Sequence, residues 1–171
     1  MTAARTRTRV VLVGPMGAGK STVAALLGEA WGLPVRDTDA DIEAAQGRSI
    51  SDIFVESGEE HFRDLERAAV AEALASHAGV LALGGGAVLA EETRALLAGH
   101  DVVFLQVGLS DAVKRVGLGV GRPLLLGNVR ARIKALLDER TPIYESVATL
   151  VVDTNDRSPQ QVAEQIQEAL R

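Results

Sequence analysis

Gly14-Pro-Met-Gly-Ala-Gly-Lys-Ser21 fits the phosphate-binding pattern G-x-x-x-x-G-K-[ST] at every fixed position. Immediately before it, Arg9-Val-Val-Leu-Val13 is a short β-branched run. After it, Thr22 to Trp31 carries Val23, Leu26, Leu27 and Ala30 at helical spacing. A strand, a glycine-rich loop and a helix therefore follow one another, which is the context the pattern requires. Gly14, Gly17 and Gly19 let the loop turn tightly and present backbone N–H groups to phosphate oxygens. The helix N-terminus behind them adds partial positive charge. Gly17, Ala18, Gly19, Lys20, Ser21 and Thr22 are thus expected to hold nucleotide phosphates. Lys20 would reach the β and γ phosphates and the Ser21 hydroxyl would ligate Mg²⁺.

The rest of the chain agrees with a nucleotide-binding α/β domain. Its 171 residues suit one domain, 1–171, with a substantial core. Only 3% are aromatic, so the core must be built from Val, Leu, Ile and Ala. No apolar run approaches the ~20 residues of a membrane span. Residues 1–9 are basic, but no apolar stretch follows, so they do not read as a secretory signal. Cysteine is absent, which excludes disulfides and thiolate chemistry and is compatible with a cytoplasmic location. The net charge of −5 argues against a general nucleic-acid surface.

Strand and helix patterns alternate after the loop. Leu33–Asp37, Gly79–Leu83, Asp101–Val107 and Thr149–Asp153 read as strands. Ser57-Gly-Glu-Glu60 reads as a capping box opening a helix to about Ser76. Further helices are expected over Glu91–Ala98, from about Ser110, and over Arg130–Arg140 with Ile133, Leu136 and Leu137 on one face. Ser158-Pro-Gln-Gln161 caps a terminal helix. Repeated β–α alternation implies a parallel sheet covered on both faces.

Three features bear on chemistry. Asp37-Thr-Asp39 ends the second strand, where ligands of α/β sheets bind. One carboxylate there can hold hydrated Mg²⁺ while the other accepts a hydroxyl proton; a helix cap beside a solvated Asp is the plainer alternative. Gly84-Gly-Gly86 leaves backbone N–H groups without side chains, open to close approach by a ligand, or it simply turns the chain. Between Lys114 and Arg140 stand seven basic residues against two acidic ones. Among them, Arg122 lies in a stretch with Gly117, Gly119 and Gly121, which suggests a lid over about 117–129 carrying a phosphate contact. Arg63 and Arg140 alone read as surface residues; as a pair they suit an anionic acceptor. No N-K-x-D guanine signature is present.

The combination of Asp37-Thr-Asp39, Gly47-Arg-Ser-Ile-Ser-Asp-Ile-Phe54, Gly58-Glu-Glu-His-Phe-Arg63 with Glu66, Leu83-Gly-Gly-Gly-Ala-Val88, Arg122-Pro-Leu-Leu125 and Arg140-Thr-Pro-Ile-Tyr144 resembles the shikimate kinases. These are P-loop kinases related to nucleoside monophosphate kinases. The resemblance implies a three-layer α/β fold, a five-stranded parallel sheet of order 2-3-1-4-5, and a mobile lid. It implies ATP-dependent phosphorylation of the shikimate 3-hydroxyl, a step toward chorismate and the aromatic amino acids, by a monomer. Asp39 would be the base, with Lys20 and Arg122 also catalytic. Arg63 and Arg140 would bind the carboxylate, Glu66 would orient Arg63, and Gly85 and Gly86 would donate backbone hydrogen bonds. Residues of the helical region 38–66 would surround the acceptor. Ser21 and Asp37 would hold Mg²⁺. Arg115 and the loop of Arg157 and Pro159 would lie against adenine, and Arg122 on the ATP phosphates. A kinase for gluconate or another small hydroxy acid, and a non-catalytic nucleotide-dependent switch, are the competing readings.

Overall fold

The computed structural model describes residues 7–117 and 129–171. Five strands form one parallel sheet: β1 (Val10–Val13), β2 (Val35–Asp37), β3 (Val80–Ala82), β4 (Val102–Gln106) and β5 (Leu150–Asp153). Their spatial order is β2-β3-β1-β4-β5, as the family resemblance implies. Every residue of β1 and β3 is buried, as expected of central strands covered on both faces. Leu12 pairs with Ala82 on one side and Val103 on the other. The chain leaves β1 toward β2 and β3, then crosses to β4 and β5. Such a reversal opens a crevice at the carboxyl ends of the strands.

Helices fill both faces: α1 (Lys20–Trp31), α2 (Thr38–Gln46), α3 (Ile50–Ser57), α4 (Glu59–Ser76), α5 (Glu91–Leu97), α6 (Leu109–Gly117), α7 (Val129–Val147) and α8 (Pro159–Ala169). Alternate strand residues face opposite layers. Val10, Leu12, Val103 and Leu105 pack with Val23 and Leu27 of α1 and Val162 and Ile166 of α8. Val11, Val13, Leu81 and Phe104 pack with Val70 and Leu74 of α4 and with Tyr144 of α7. A smaller third cluster of Ile42, Ile53 and Phe62 ties α2, α3 and α4 together, outside the sheet.

The terminal capping box forms, with Ser158 and Gln161 bonded reciprocally. The one expected at Ser57 does not. Ser57 is the last residue of α3, and α4 starts after Gly58, whose φ of 87° and ψ of 163° belong to a region essentially reserved for glycine. Two helices thus meet at a sharp glycine joint where the sequence pattern suggested a single start. The helix expected over 130–140 also runs further, through Pro142 to Val147. Pro142 and Asp138 are exposed, so solvent can satisfy the Asp138 carbonyl that the missing N–H leaves free. Beyond the proline, Tyr144 anchors the helix in the sheet cluster. The expected lid, with Arg122, lies outside the described residues.

Candidate active site

The phosphate loop ends at Gly19, which caps α1 with φ 88° and provides no side chain to bond the first turn. The N–H groups of Gly17, Gly19, Lys20, Ser21 and Thr22 have no partner among the described residues. Four of these donors, from Gly19 to Thr22, stand at the N-terminus of α1 and Gly17 adds one from the loop, an arrangement that binds phosphate. Lys20 Nζ donates to the carbonyls of Gly14 at 2.6 Å and Pro15 at 3.0 Å. Burial lowers its pKa to about 8, against the opposing pull of Asp39 and Asp37. A buried ammonium in this state is stabilised by an anion.

Asp37 caps a helix, the plainer of the two readings, and also reaches the phosphate loop. Its Oδ1 caps α2, accepting from the N–H of Asp39 at 2.9 Å and of Ala40 at 3.3 Å. Its Oδ2 accepts from Ser21 Oγ at 3.2 Å. Ser21 and Asp37 thus place two hard oxygen donors beside the phosphate loop, a set that suits Mg²⁺. Among the described residues no group of three or more His, Asp or Glu surrounds this point, so a cation here would draw further ligands from phosphate and water.

Asp39 is the second residue of α2, and its carboxyl lies against Gly84, the first of the glycine triplet. A Cβ at Gly84 would lie 2.5 Å from Asp39 Oδ1, so glycine is needed there by contact. Asp39 Oδ1 is buried and unpartnered among the described residues. Burial first, then Asp37 and Glu66, raise its pKa to about 6, with Lys20 acting against them.

Opposite Asp39, Arg63 Nη1 pairs with Glu66 Oε1 at 2.8 Å. Glu66 is buried, and burial raises its pKa while Arg63 and Arg140 lower it. The Arg63 guanidinium lies flat against Gly86, where a Cβ would collide with it. Arg140 reaches the same place from α7, and its Nε is buried with no partner among the described residues. The N–H groups of Gly85 and Gly86 also lack partners among the described residues.

These groups enclose a cavity of about 410 Å³. Asp39, Arg63, Glu66, Gly85, Gly86 and Arg140 form its polar end; Ile50, Phe62, Ile133, Leu136 and Leu137 form its apolar wall. A second space of about 330 Å³ holds the phosphate loop, Lys20, Ser21, Asp37 and Gly84. Asp39 and Gly85 line both. A third space of about 220 Å³ runs on from Gly17, Gly19 and Thr22 to Arg115, Arg157 and Pro159. Arg115 bridges its walls, donating to the Gly17 carbonyl at 3.0 Å and the Thr154 carbonyl at 2.9 Å. The three spaces lie in series, joined through the residues they share.

The structure brings together every expected site residue except Arg122, which lies outside the described residues. Sequence reading missed Thr38, whose hydroxyl accepts from the Gly84 N–H at 3.4 Å. It also missed a structural role for Tyr144, and it treated Ile133 and Leu137 only as a packing face. One signal was available: Tyr144 stands four residues after Arg140, hence on the same helix face.

A family model of shikimate kinase matches residues 16–171. The chain belongs to the shikimate kinase family. Over 164 residues it is 61% identical to a shikimate kinase of Thermobifida fusca, covering 96% of this chain and 95% of that one. A solved structure of Acinetobacter baumannii shikimate kinase in complex with shikimate superposes with a TM-score of 0.89 at 35% identity, covering 97% of this chain and 94% of that one. A gluconokinase from Sinorhizobium meliloti reaches only 0.62 at 21% identity, covering 98% and 93%, a likeness of fold alone. As a member of the family the chain is an ATP-dependent kinase.

Proposed function

We propose that this chain transfers the γ-phosphoryl group of ATP to the 3-hydroxyl of shikimate. The observation that carries the reading is that Asp39 lines both the phosphate space and the acid-binding cavity. Phosphoryl transfer is mostly positioning and charge stabilisation. The free N–H groups of the loop and Lys20 hold the transferring phosphates. Ser21 directly, and Asp37 through water, would hold Mg²⁺, which neutralises charge on the β and γ oxygens. Arg115, Arg157 and Pro159 border the adenine. Arg63 and Arg140 clamp the acceptor carboxylate, with Glu66 fixing the Arg63 fork. Asp39 accepts the proton of the attacking hydroxyl. Arg122 completes the charge stabilisation, an assignment that rests on the sequence. The family resemblance implies a monomer, and a chain without cysteine is compatible with a cytoplasmic setting.

The clamp is tested by Arg63→Ala and Arg140→Ala. Each should weaken shikimate binding by roughly 2–5 kcal/mol, the usual loss when one partner of a desolvated charge pair is removed. ATP binding should barely change. Equal weakening of both ligands would assign these arginines to the fold or the nucleotide instead.

A further inference from the structure

Tyr144 is the only tyrosine in the chain, and it is fully buried. Its ring packs on Phe104 with centroids 5.0 Å apart. Its hydroxyl donates to the Gly85 carbonyl at 2.6 Å. Within the glycine triplet the carbonyls of Gly84 and Gly86 accept from Ala87 and Leu89 N–H groups, so their peptide units are held by the backbone. The Gly85 carbonyl has no backbone partner among the described residues. Among the described residues only Tyr144 holds it there.

That carbonyl and the Gly86 N–H belong to one planar trans peptide unit and point in opposite directions. A carbonyl drawn toward the buried phenol turns the Gly86 N–H away from the core, on the side of the cavity that Gly85 and Gly86 line. Glycine flanks this unit on both sides, so no Cβ resists its rotation. The phenol hydrogen bond is therefore what selects one orientation. Burial raises the phenol's pKa, which keeps it a donor to Gly85, while the Arg140 guanidinium, which hydrogen-bonds the same hydroxyl, pulls it down.

We propose that Tyr144 is a positioning residue, which locks the Gly85–Gly86 peptide so that the Gly86 N–H is presented to the acceptor acid. The inference rests on the acceptor-cavity reading above and adds a residue that need not touch the substrate.

Tyr144→Phe keeps the ring and its contact with Phe104 and removes only the hydroxyl. Calorimetry with shikimate and, separately, with a non-hydrolysable ATP analogue reads the effect. Shikimate should bind about tenfold more weakly, the scale of one buried hydrogen bond, while the nucleotide analogue stays within about twofold. A purely structural role would weaken both ligands alike or neither. Unchanged shikimate affinity, or parallel loss of both, overturns the proposal; so does a selective loss in which the Gly86 amide of ¹⁵N-labelled Tyr144→Phe still moves on shikimate saturation as it does in the parent, since the hydroxyl would then act through Arg140. A second measurement needs no variant: in the ¹⁵N-labelled parent, the Gly86 amide resonance should move on saturation with shikimate. A parent that binds shikimate with this amide unmoved also overturns it. A parent that binds no shikimate overturns the functional reading itself, and this inference with it.

Discussion

Asp39 carries two opposed demands. It must be ionised to take a proton, yet burial first, and the carboxylates of Asp37, Glu66 and Glu43, favour its neutral form and raise its pKa to about 6. The pH profile of kcat/KM should therefore fall on the acid side below about pH 6. Asp39→Asn should lower turnover by about 10²-fold or more, with much smaller loss of shikimate binding. The same residue affects stability with a definite sign. Its folded-state pKa lies above the unfolded value, so between about pH 4 and pH 6 the folded state binds more protons and stability falls as pH rises. Asp39→Asn should then stabilise the ligand-free protein at pH 7 by about 1 kcal/mol after solvent screening, read as a higher melting temperature, and not at pH 4. A stabilised, inactive variant is the expected result; an active one would remove Asp39 from the proton transfer. Lys20 and Asp39 were legible in the sequence because each stands at a fixed place in a motif, whereas Arg63 and Arg140, surface residues when read alone, gained a role only as a pair and through the family resemblance. Thr38 and Tyr144 were not, because each acts on a backbone group that is 46 or 59 residues away in the chain.

Helix α2 shows how one element serves both fold and site. Asp37 caps it and also meets Ser21. Asparagine caps helices about as well as aspartate, whereas alanine does not. Asp37→Asn should therefore keep the melting temperature near that of the parent while raising the Mg²⁺ concentration needed for half-maximal activity. Asp37→Ala should show the same metal effect plus a stability loss of about 1 kcal/mol. Thermal melts and Mg²⁺ titrations of the two variants separate the roles; an unchanged Mg²⁺ requirement in both would leave Asp37 with the cap alone. The misread elements have a common cause. The pattern Ser-Gly-Glu-Glu permits a cap at Ser57, but packing of Ile53, Phe62 and Ile42 carries α3 on to Ser57 and places the break at Gly58. Helix α7 outlasts Pro142 because Tyr144 is drawn into the sheet cluster. In both cases tertiary contacts override a local signal.

Across the whole molecule, strand order was legible because β–α alternation with buried central strands leaves few parallel arrangements, and the family motifs select one of them. The meeting of three spaces at the carboxyl edge was not, since it depends on α7 crossing toward the glycine triplet from far along the chain. That geometry separates an acid-accepting kinase from a nucleotide switch. A switch needs the phosphate space and the base pocket alone. A kinase needs the acceptor cavity to govern consumption of ATP. The direct measurement is ADP release by the purified protein in Mg²⁺-ATP, with shikimate, with gluconate and with no acceptor, followed by NMR of the product. ADP release that depends on shikimate, with phosphate on the 3-hydroxyl, is the predicted result. Equal release with and without shikimate, or turnover of gluconate in its place, would contradict it.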